Sequence, residues 1–212
     1  MTRSKRHSPA ILPPVRTLPP SLTHQRIGLF GGSFNPPHSG HLHVAETALK
    51  RLRLDWIYWL PARGNPLKSK PAAFYERVHQ VRELIGHNPQ MFVSDFEHWA
   101  NVRYTIDVLK QFTRHSPNAK FVWLMGADSL QNFHDWRAWE EIAQTIPICV
   151  VSRPEAGPRA LRSPFARKYA GQRVRERQAA RLPGLDAPAW VYLKAPYDRT
   201  SSTQLRRDAQ KR

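Results

Sequence analysis

The fold is decided by residues 27–41, which read Ile27-Gly28-Leu29-Phe30-Gly31-Gly32-Ser33-Phe34-Asn35-Pro36-Pro37-His38-Ser39-Gly40-His41. An apolar run leads into a loop of glycines and prolines, and this order predicts a strand, a loop and a helix. Gly31 and Gly32 lack Cβ atoms, so backbone N–H groups can close on an anion, and the prolines end the strand. We expect the helix to begin near Ser39. Its apolar face recurs at three- and four-residue spacing through Leu42, Ala45, Leu49 and Leu52. Free N–H groups at its N-terminus would then attract phosphate.

Two histidines in this stretch are candidate phosphate ligands. His38 and His41 are three residues apart, so both lie on one side of the first helical turn and can donate hydrogen bonds to one polyphosphate. An isolated histidine is more often a packing or surface residue. The glycines before the pair, Gly40 within it and the helix after it favour the phosphate-binding interpretation. His43 points elsewhere on the helix, and we expect it to be an ordinary packing or surface residue.

Composition limits the class of protein. The 212 residues carry 33 basic and 16 acidic side chains, a formal charge of +17, and one cysteine, Cys149. One thiol excludes an intrachain disulfide and a zinc site of several cysteines, and we expect it to be buried. No apolar run is long enough to span a bilayer, so a cytoplasmic protein without membrane contact is expected. The excess charge predicts non-specific binding to nucleic acid at low salt only.

The chain divides into a tail and one folded domain. Residues 1–25 are rich in proline and arginine and lack acidic residues, which predicts a disordered tail, with an organellar transit peptide as the less favoured alternative. Residues 26–212 form the domain, in which 155–188 is a basic insertion of uncertain structure. Within that insertion, Phe165 to Arg181 suggests an exposed helix.

Apolar strands alternate with helical patterns along the domain. Strands are predicted at Asp55–Pro61, Met91–Val93, Lys120–Gly126, Thr145–Val151 and Trp190–Leu193, and helices at Ala72–Ile85 and from Thr105. Apolar rather than alternating strands indicate a parallel sheet with helices on both faces. The predicted fold is therefore α/β and Rossmann-like, with ligands at the carboxyl edge of the sheet.

The first motif resembles the signature of the HxGH nucleotidyltransferases, and in particular that of the bacterial nicotinate-nucleotide adenylyltransferases. Residues 201–206, Ser201-Ser202-Thr203-Gln204-Leu205-Arg206, resemble the second signature of that superfamily, although Thr200 replaces its usual isoleucine. The resemblance covers about 26–154 and 190–207. It implies catalytic roles for His38, His41 and Arg206. It implies ATP binding by Gly31, Gly32, Ser33, Phe34, Gly40, Asp128, Arg153, Ser201, Ser202 and Thr203.

The same resemblance implies a site for the second substrate. The matching positions are Lys68, Tyr104, Thr105 and Trp136, of which Trp136 would stack on a pyridine ring. Arg103 and Val108 depart from the family pattern around Thr105. Lys68 could equally be a solvated lysine, and Thr105 or Asp128 could simply cap a helix. Phe133 and Trp139, which flank Trp136, are expected to be core residues.

The implied reaction is transfer of AMP from ATP to nicotinate mononucleotide, which gives deamido-NAD and pyrophosphate in NAD biosynthesis. The attacking phosphate is already ionised, so no general base is required, and Mg²⁺ would be held mainly by the ATP phosphates. Two alternatives stay open. The acceptor could be nicotinamide mononucleotide or another phosphate such as phosphopantetheine, or the chain could be a nucleic-acid-binding Rossmann-like protein. The sequence does not predict an oligomeric state.

Overall fold

The computed structural model describes residues 24–64, 73–153 and 157–195. In this part of the chain, seven strands form one sheet: β1 (Arg26–Gly32), β2 (Trp56–Pro61), β3 (Met91–Val93), β4 (Lys120–Gly126), β5 (Ile148–Val151), β6 (Arg173–Val174) and β7 (Trp190–Leu193). Nearly every residue of the central strands is buried, which explains why they read as continuous apolar runs. The predicted tail lies almost wholly outside these ranges.

The strand order is β3-β2-β1-β4-β5-β7-β6, and every neighbouring pair is parallel. The order reverses at β1, which has β2 on one side and β4 on the other. This is a Rossmann-like α/β sheet, as predicted from the sequence. Because the strands are parallel, the loops that leave their carboxyl ends meet at one edge, where the reversal opens a crevice for a ligand.

Eight α-helices cover the sheet in the described ranges: α1 (Ser39–Leu52), α2 (Phe74–Ile85), α3 (Phe96–Trp99), α4 (Thr105–His115), α5 (Ala127–Gln131), α6 (Trp139–Thr145), α7 (Gly157–Ala160) and α8 (Pro164–Lys168). Short 3-10 helices span Phe133–Asp135, Ala170–Gln172 and Glu176–Gly184. One core cluster joins α1, α2 and the last 3-10 helix to one face of the sheet, and a second joins α4, α5, α6 and α8 to the other. Helices therefore lie on both faces. No helix in these ranges is both long and apolar enough to cross a membrane.

Two predictions about elements are corrected by the structure. The strand predicted at Thr145–Val151 is present as β5 but begins only at Ile148, because Thr145 ends α6 and its hydroxyl donates to the carbonyl of Glu141 at 2.7 Å. The exposed helix expected at 165–181 is instead a series of short elements with a buried side. Phe165 packs in one core cluster and Leu182 in the other, so this segment wraps the edge of the sheet rather than following one helical face.

The single cysteine lies where the sequence suggested. Cys149 is in the middle of β5, a buried free thiol, and burial raises its pKa. A thiolate is the reactive form of cysteine, so this residue is a packing residue of the core.

Candidate active site

The loop between β1 and α1, here called the phosphate loop, lies at the carboxyl edge of the sheet and packs tightly against β4. A Cβ atom at Gly31 would lie 2.2 Å from Cη2 of Trp123 in β4, which is too close for any real contact. Glycine is therefore required at this position, because the indole fills the space that a side chain would take. The backbone of the loop can thus approach both its floor and a ligand.

His38 and His41 come together at the N-terminus of α1. His38 is the extended N-cap residue, and its carbonyl accepts hydrogen bonds from the N–H groups of His41 at 2.8 Å and Leu42 at 3.3 Å. The two imidazole rings lie 3.9 Å apart between centroids, tilted by 43°. No side chain caps this 14-residue helix. Two imidazole rings that can donate hydrogen bonds thus lie together at the N-terminus of α1, where the helix dipole is positive.

Phe34 holds the His41 ring from the side of the core. Its ring is only 1% exposed and meets His41 edge-on, with centroids 5.1 Å apart and planes at 78°. It also packs against Phe30 and Trp59. The resemblance assigned Phe34 to ATP binding. The structure places its side chain in the core, so only its backbone is free for that role.

The His41 imidazole is held in its neutral form. Burial lowers its pKa well below the usual 6.5, and the nearby charges of His38 and Arg153 lower that pKa further. A neutral imidazole has one N–H donor and one nitrogen lone pair. His41 can therefore donate a hydrogen bond to a phosphate oxygen at neutral pH without carrying charge.

Arg153 brings the end of β5 into the same site. It is buried, and its Nε lies 3.6 Å from Oδ1 of Asp128 in α5. Gly126 makes this approach possible, because a Cβ there would lie 2.3 Å from the Asp128 carboxylate. Asp128 is not the N-cap residue of α5, a position held by Gly126, so the alternative that it only caps a helix is wrong. The motif at 126–129 therefore places a carboxylate beside Arg153, whose charge acts on His41.

A second group of predicted residues lies around the start of α4. The helix begins at Thr105, as predicted, and Tyr104 is its N-cap residue. No side chain makes a cap bond there, so the alternative that Thr105 only caps the helix is wrong. The Arg137 guanidinium lies 4.3 Å from the centroid of the Tyr104 ring, a cation–π contact that the sequence did not suggest.

Trp136 links this second group to the phosphate loop. It is half-buried and packs edge-on against Trp123, with ring centroids 6.2 Å apart and planes at 83°. The Trp123 ring also packs directly against Gly31 of the phosphate loop. One indole therefore lies between the predicted pyridine site and the predicted ATP site. Phe133 is fully buried and Trp139 packs against the same cluster, as expected for core residues.

Several candidate residues lie outside the described ranges. They are Lys68 in the loop after β2, and Ser201, Ser202, Thr203 and Arg206 in the second signature. Their proximity to His41 stays a prediction.

Two site residues were missed in the sequence. Arg77 in α2 is buried and donates to the Ser33 carbonyl of the phosphate loop at 2.7 Å, and Glu97 in α3 is buried near it. A signal was present for Arg77, which is three residues after Phe74 and four before Val81 on the apolar face of α2. A charge at such a position is buried and needs partners.

Comparison with known proteins places this geometry in a family. Residues 29–208 match the family model described as cytidylyltransferase-like. The chain is 50% identical over 185 residues to a probable nicotinate-nucleotide adenylyltransferase of Caulobacter sp., an alignment that covers 85% of this chain and 96% of that one. It is 45% identical over 181 residues to a protein of the same name from Cereibacter sphaeroides, with 85% and 95% covered.

A solved structure shares the fold. The structure of Plasmodium falciparum nicotinic acid mononucleotide adenylyltransferase complexed with NaAD superposes with a TM-score of 0.66 at 19% identity, over 87% of this chain and 83% of that chain. The fold of this chain is thus shared with a solved structure.

Proposed function

Because the chain belongs to the cytidylyltransferase-like family and, within it, to the nicotinate-nucleotide adenylyltransferases, we propose that it transfers AMP from ATP to nicotinate mononucleotide. The products are deamido-NAD and pyrophosphate. The observation that carries this proposal is the pair of imidazoles, 3.9 Å apart, at the uncapped N-terminus of α1. Such a cluster of donors suits a polyphosphate and contains no group that the reaction would leave unused.

The reaction needs alignment more than proton transfer. A phosphate oxygen of the mononucleotide attacks the α-phosphorus of ATP, and the bond from that phosphorus to the bridging oxygen breaks, so the electron pair leaves with pyrophosphate. The nucleophile is ionised near neutral pH and needs no base. Catalysis then depends on holding two polyanions in line and on stabilising charge on the leaving oxygens.

His38 and His41 supply hydrogen-bond donors for that charge. Burial and the neighbouring positive groups lower the pKa of His41 and favour its neutral form, so it is preorganised as a donor. Phe34 limits rotation of the His41 ring through their edge-on contact. The helix N-terminus adds its partial positive charge to the same volume.

Arg153 contributes a full positive charge to the described part of the site. Its guanidinium is close enough to lower the pKa of His41, and its Nε lies 3.6 Å from Oδ1 of Asp128. We expect Asp128 to orient Arg153 and to face the ribose or backbone groups of the nucleotide. Arg206 would add a second cation from the second signature, together with the hydroxyls of 201–203.

Mg²⁺ fits this site as an ion carried by the nucleotide. Among the described residues, no three His, Cys, Asp or Glu side chains are grouped so that they could hold a metal ion. The ATP phosphates would therefore hold it, and when bound it would screen their charge. The side chains of the protein would orient the phosphates, and the described carboxylates would not be the main ligands of the ion.

The acceptor is expected beside α4. The Thr105 hydroxyl and N–H groups at the start of α4 would donate hydrogen bonds to the nicotinate carboxylate. Trp136 would stack on the pyridine ring, and Lys68 would bind the acceptor phosphate. Tyr104 lies under the Arg137 guanidinium at the same helix end. A cation and a helix N-terminus together favour a carboxylate over a neutral amide.

The test is pyrophosphate release with ATP and each pyridine mononucleotide in turn. We expect release with nicotinate mononucleotide and a much lower rate with nicotinamide mononucleotide. Equal rates would contradict the acceptor assignment. No release with either, together with salt-dependent binding to DNA or RNA, would favour a nucleic-acid-binding protein instead.

A further inference from the structure

A buried arginine supports the phosphate loop from the side away from the ligand. Arg77 is 1% exposed, and its Nη1 donates to the carbonyl oxygen of Ser33 at 2.7 Å. A guanidinium is costly to bury unless it is hydrogen-bonded and its charge is balanced. This contact therefore fixes the Ser33 carbonyl in direction as well as in position.

The direction of that carbonyl decides the direction of the next N–H group. In a trans peptide unit the carbonyl and the N–H point to opposite sides, and the bond from Ser33 to Phe34 is not among the cis peptides. With the Ser33 carbonyl turned toward α2, the Phe34 N–H is turned away from α2. Phe34 has a φ of +43°, a left-handed conformation that is unfavourable for a non-glycine residue and needs support from its surroundings.

Glu97, which lies near the same arginine, is hydrogen-bonded to a second loop. Its Oε2 accepts a hydrogen bond from the backbone N–H of Arg63 at 3.0 Å, in the loop that follows β2. Glu97 is 8% exposed, and the charges of Glu97 and Arg77 act on each other. The pair therefore lies between two loops of the carboxyl edge, one predicted to bind ATP and the other leading to Lys68.

We propose that Arg77 and Glu97 are positioning residues: Arg77 aims the Phe34 N–H group at the phosphates of ATP, and Glu97 holds the loop after β2 in place beside Arg77. The proposal rests on the proposed function, since it takes the loop at 31–34 to bind ATP. Neither side chain needs to touch a substrate. Both act through backbone groups.

The charge state of the pair changes in the slightly alkaline range. Burial raises the pKa of Glu97 to about 8, while the Arg63 N–H and the Arg77 charge act against this rise. Burial also lowers the pKa of Arg77. On α3 itself the next residue is His98, whose ring stacks on Phe74 instead. The ionised form of Glu97, which attracts the Arg77 charge most strongly, is thus populated as the pH rises past 8.

The first test replaces Arg77 by a side chain of similar length without charge. In Arg77→Met we expect the KM for ATP to rise roughly tenfold to hundredfold, the range for losing a hydrogen bond to a charged group, with a smaller change in kcat. Calorimetry with a non-hydrolysable ATP analogue should show the same loss of affinity. The control is Arg51→Met, which removes a helical arginine paired with Glu176 at 3.1 Å in the half-exposed part of α1 and should leave ATP affinity unchanged.

A folded Arg77→Met variant, judged by its thermal melt, with wild-type affinity for the analogue would overturn the proposal. Because analogue binding requires no turnover, it separates this failure from failure of the proposed function. In the latter case the wild-type protein binds the analogue but releases no pyrophosphate with either mononucleotide.

The second test does not depend on whether that variant folds. Glu97→Gln keeps the size of the side chain and an acceptor for the Arg63 N–H but mimics the protonated form at every pH. Relative to wild type, its kcat/KM for ATP should be near one at about pH 6.5 and fall about tenfold by about pH 9. Glu141→Gln, in the surface pair with Lys110, should give a constant ratio. A ratio near one for Glu97→Gln at every pH would overturn the proposal.

Discussion

Nε of Arg153 lies 3.6 Å from Oδ1 of Asp128, and the same guanidinium is close enough to His41 to lower the pKa of its imidazole. The two partners come from the ends of neighbouring strands, since β4 precedes Asp128 and β5 precedes Arg153. The Arg153 guanidinium therefore interacts with a carboxylate and also acts electrostatically on His41. In the proposed function, the neutral His41 and this cation would bind the same phosphates.

Removing the Arg153 charge should change the titration of His41. In Arg153→Gln the pKa of His41 should rise, because a nearby positive charge disfavours imidazolium, but it should stay below 6.5 because burial persists. NMR titration of the imidazole measures this directly. Arg51→Gln, which changes a remote arginine, should leave the His41 titration unmoved, and an unchanged His41 in Arg153→Gln would show that the two groups are not coupled.

Replacing His41 by alanine should reduce turnover without unfolding the protein. We expect kcat to fall about 10²- to 10³-fold, the usual cost of losing one preorganised donor to a developing charge. Pyrophosphate release and far-UV circular dichroism provide the two readouts. His43→Ala, on the same helix, should keep most activity. Turnover of His41→Ala close to wild type would remove His41 from the mechanism.

Adding a methyl group at Gly31 should destabilise the fold. In Gly31→Ala the new Cβ would lie 2.2 Å from the Trp123 indole, so the ring or the loop must move. We expect the free energy of unfolding to fall by about 1–3 kcal/mol, as for other overpacked sites. Urea denaturation measures the loss. Gly171→Ala, where a Cβ meets nothing within 4 Å, is the matched control and should be nearly neutral.

Glu97 should make stability depend on pH. Its pKa in the folded protein is about 8, above the ordinary 4.5 expected in the unfolded chain, so folding favours its protonated form. Its contribution is therefore complete below the unfolded pKa and is lost as the pH rises through 8. Urea denaturation at a series of pH values should show wild type losing stability relative to Glu97→Gln across this window. Parallel curves for the two proteins would contradict the assignment.

The sequence predicted the parallel sheet well because the central strands are buried on both faces. Met91–Val93 is a strand with the predicted bounds, and α1 begins at Ser39 as expected. Glycine and proline at the loop left few other conformations. An element whose sequence pattern reflects a single environment, such as a strand buried on both faces, can therefore be predicted directly from the sequence.

The sequence-based predictions failed where the contacts of a residue or segment differ from those that its residue type or local pattern suggests. The segment 165–181 divides its apolar residues between both core clusters, so it has no single helical face to detect. Arg77 is charged yet buried, and its hydrogen bond to Ser33 and the nearby charge of Glu97, both distant in sequence, help to explain its burial. Phe34 belongs to a binding motif but faces the core. Long-range contacts of this kind are not encoded in periodicity.

Trp123 underlies both the Gly31 backbone and the Trp136 ring. A small molecule that wedged Trp136 aside would also tilt this shared indole and disturb the neighbouring loop. Such an inhibitor would compete with the pyridine mononucleotide and would also weaken the binding of ATP. A resistance mutation that enlarged either pocket would itself reduce the activity of the enzyme.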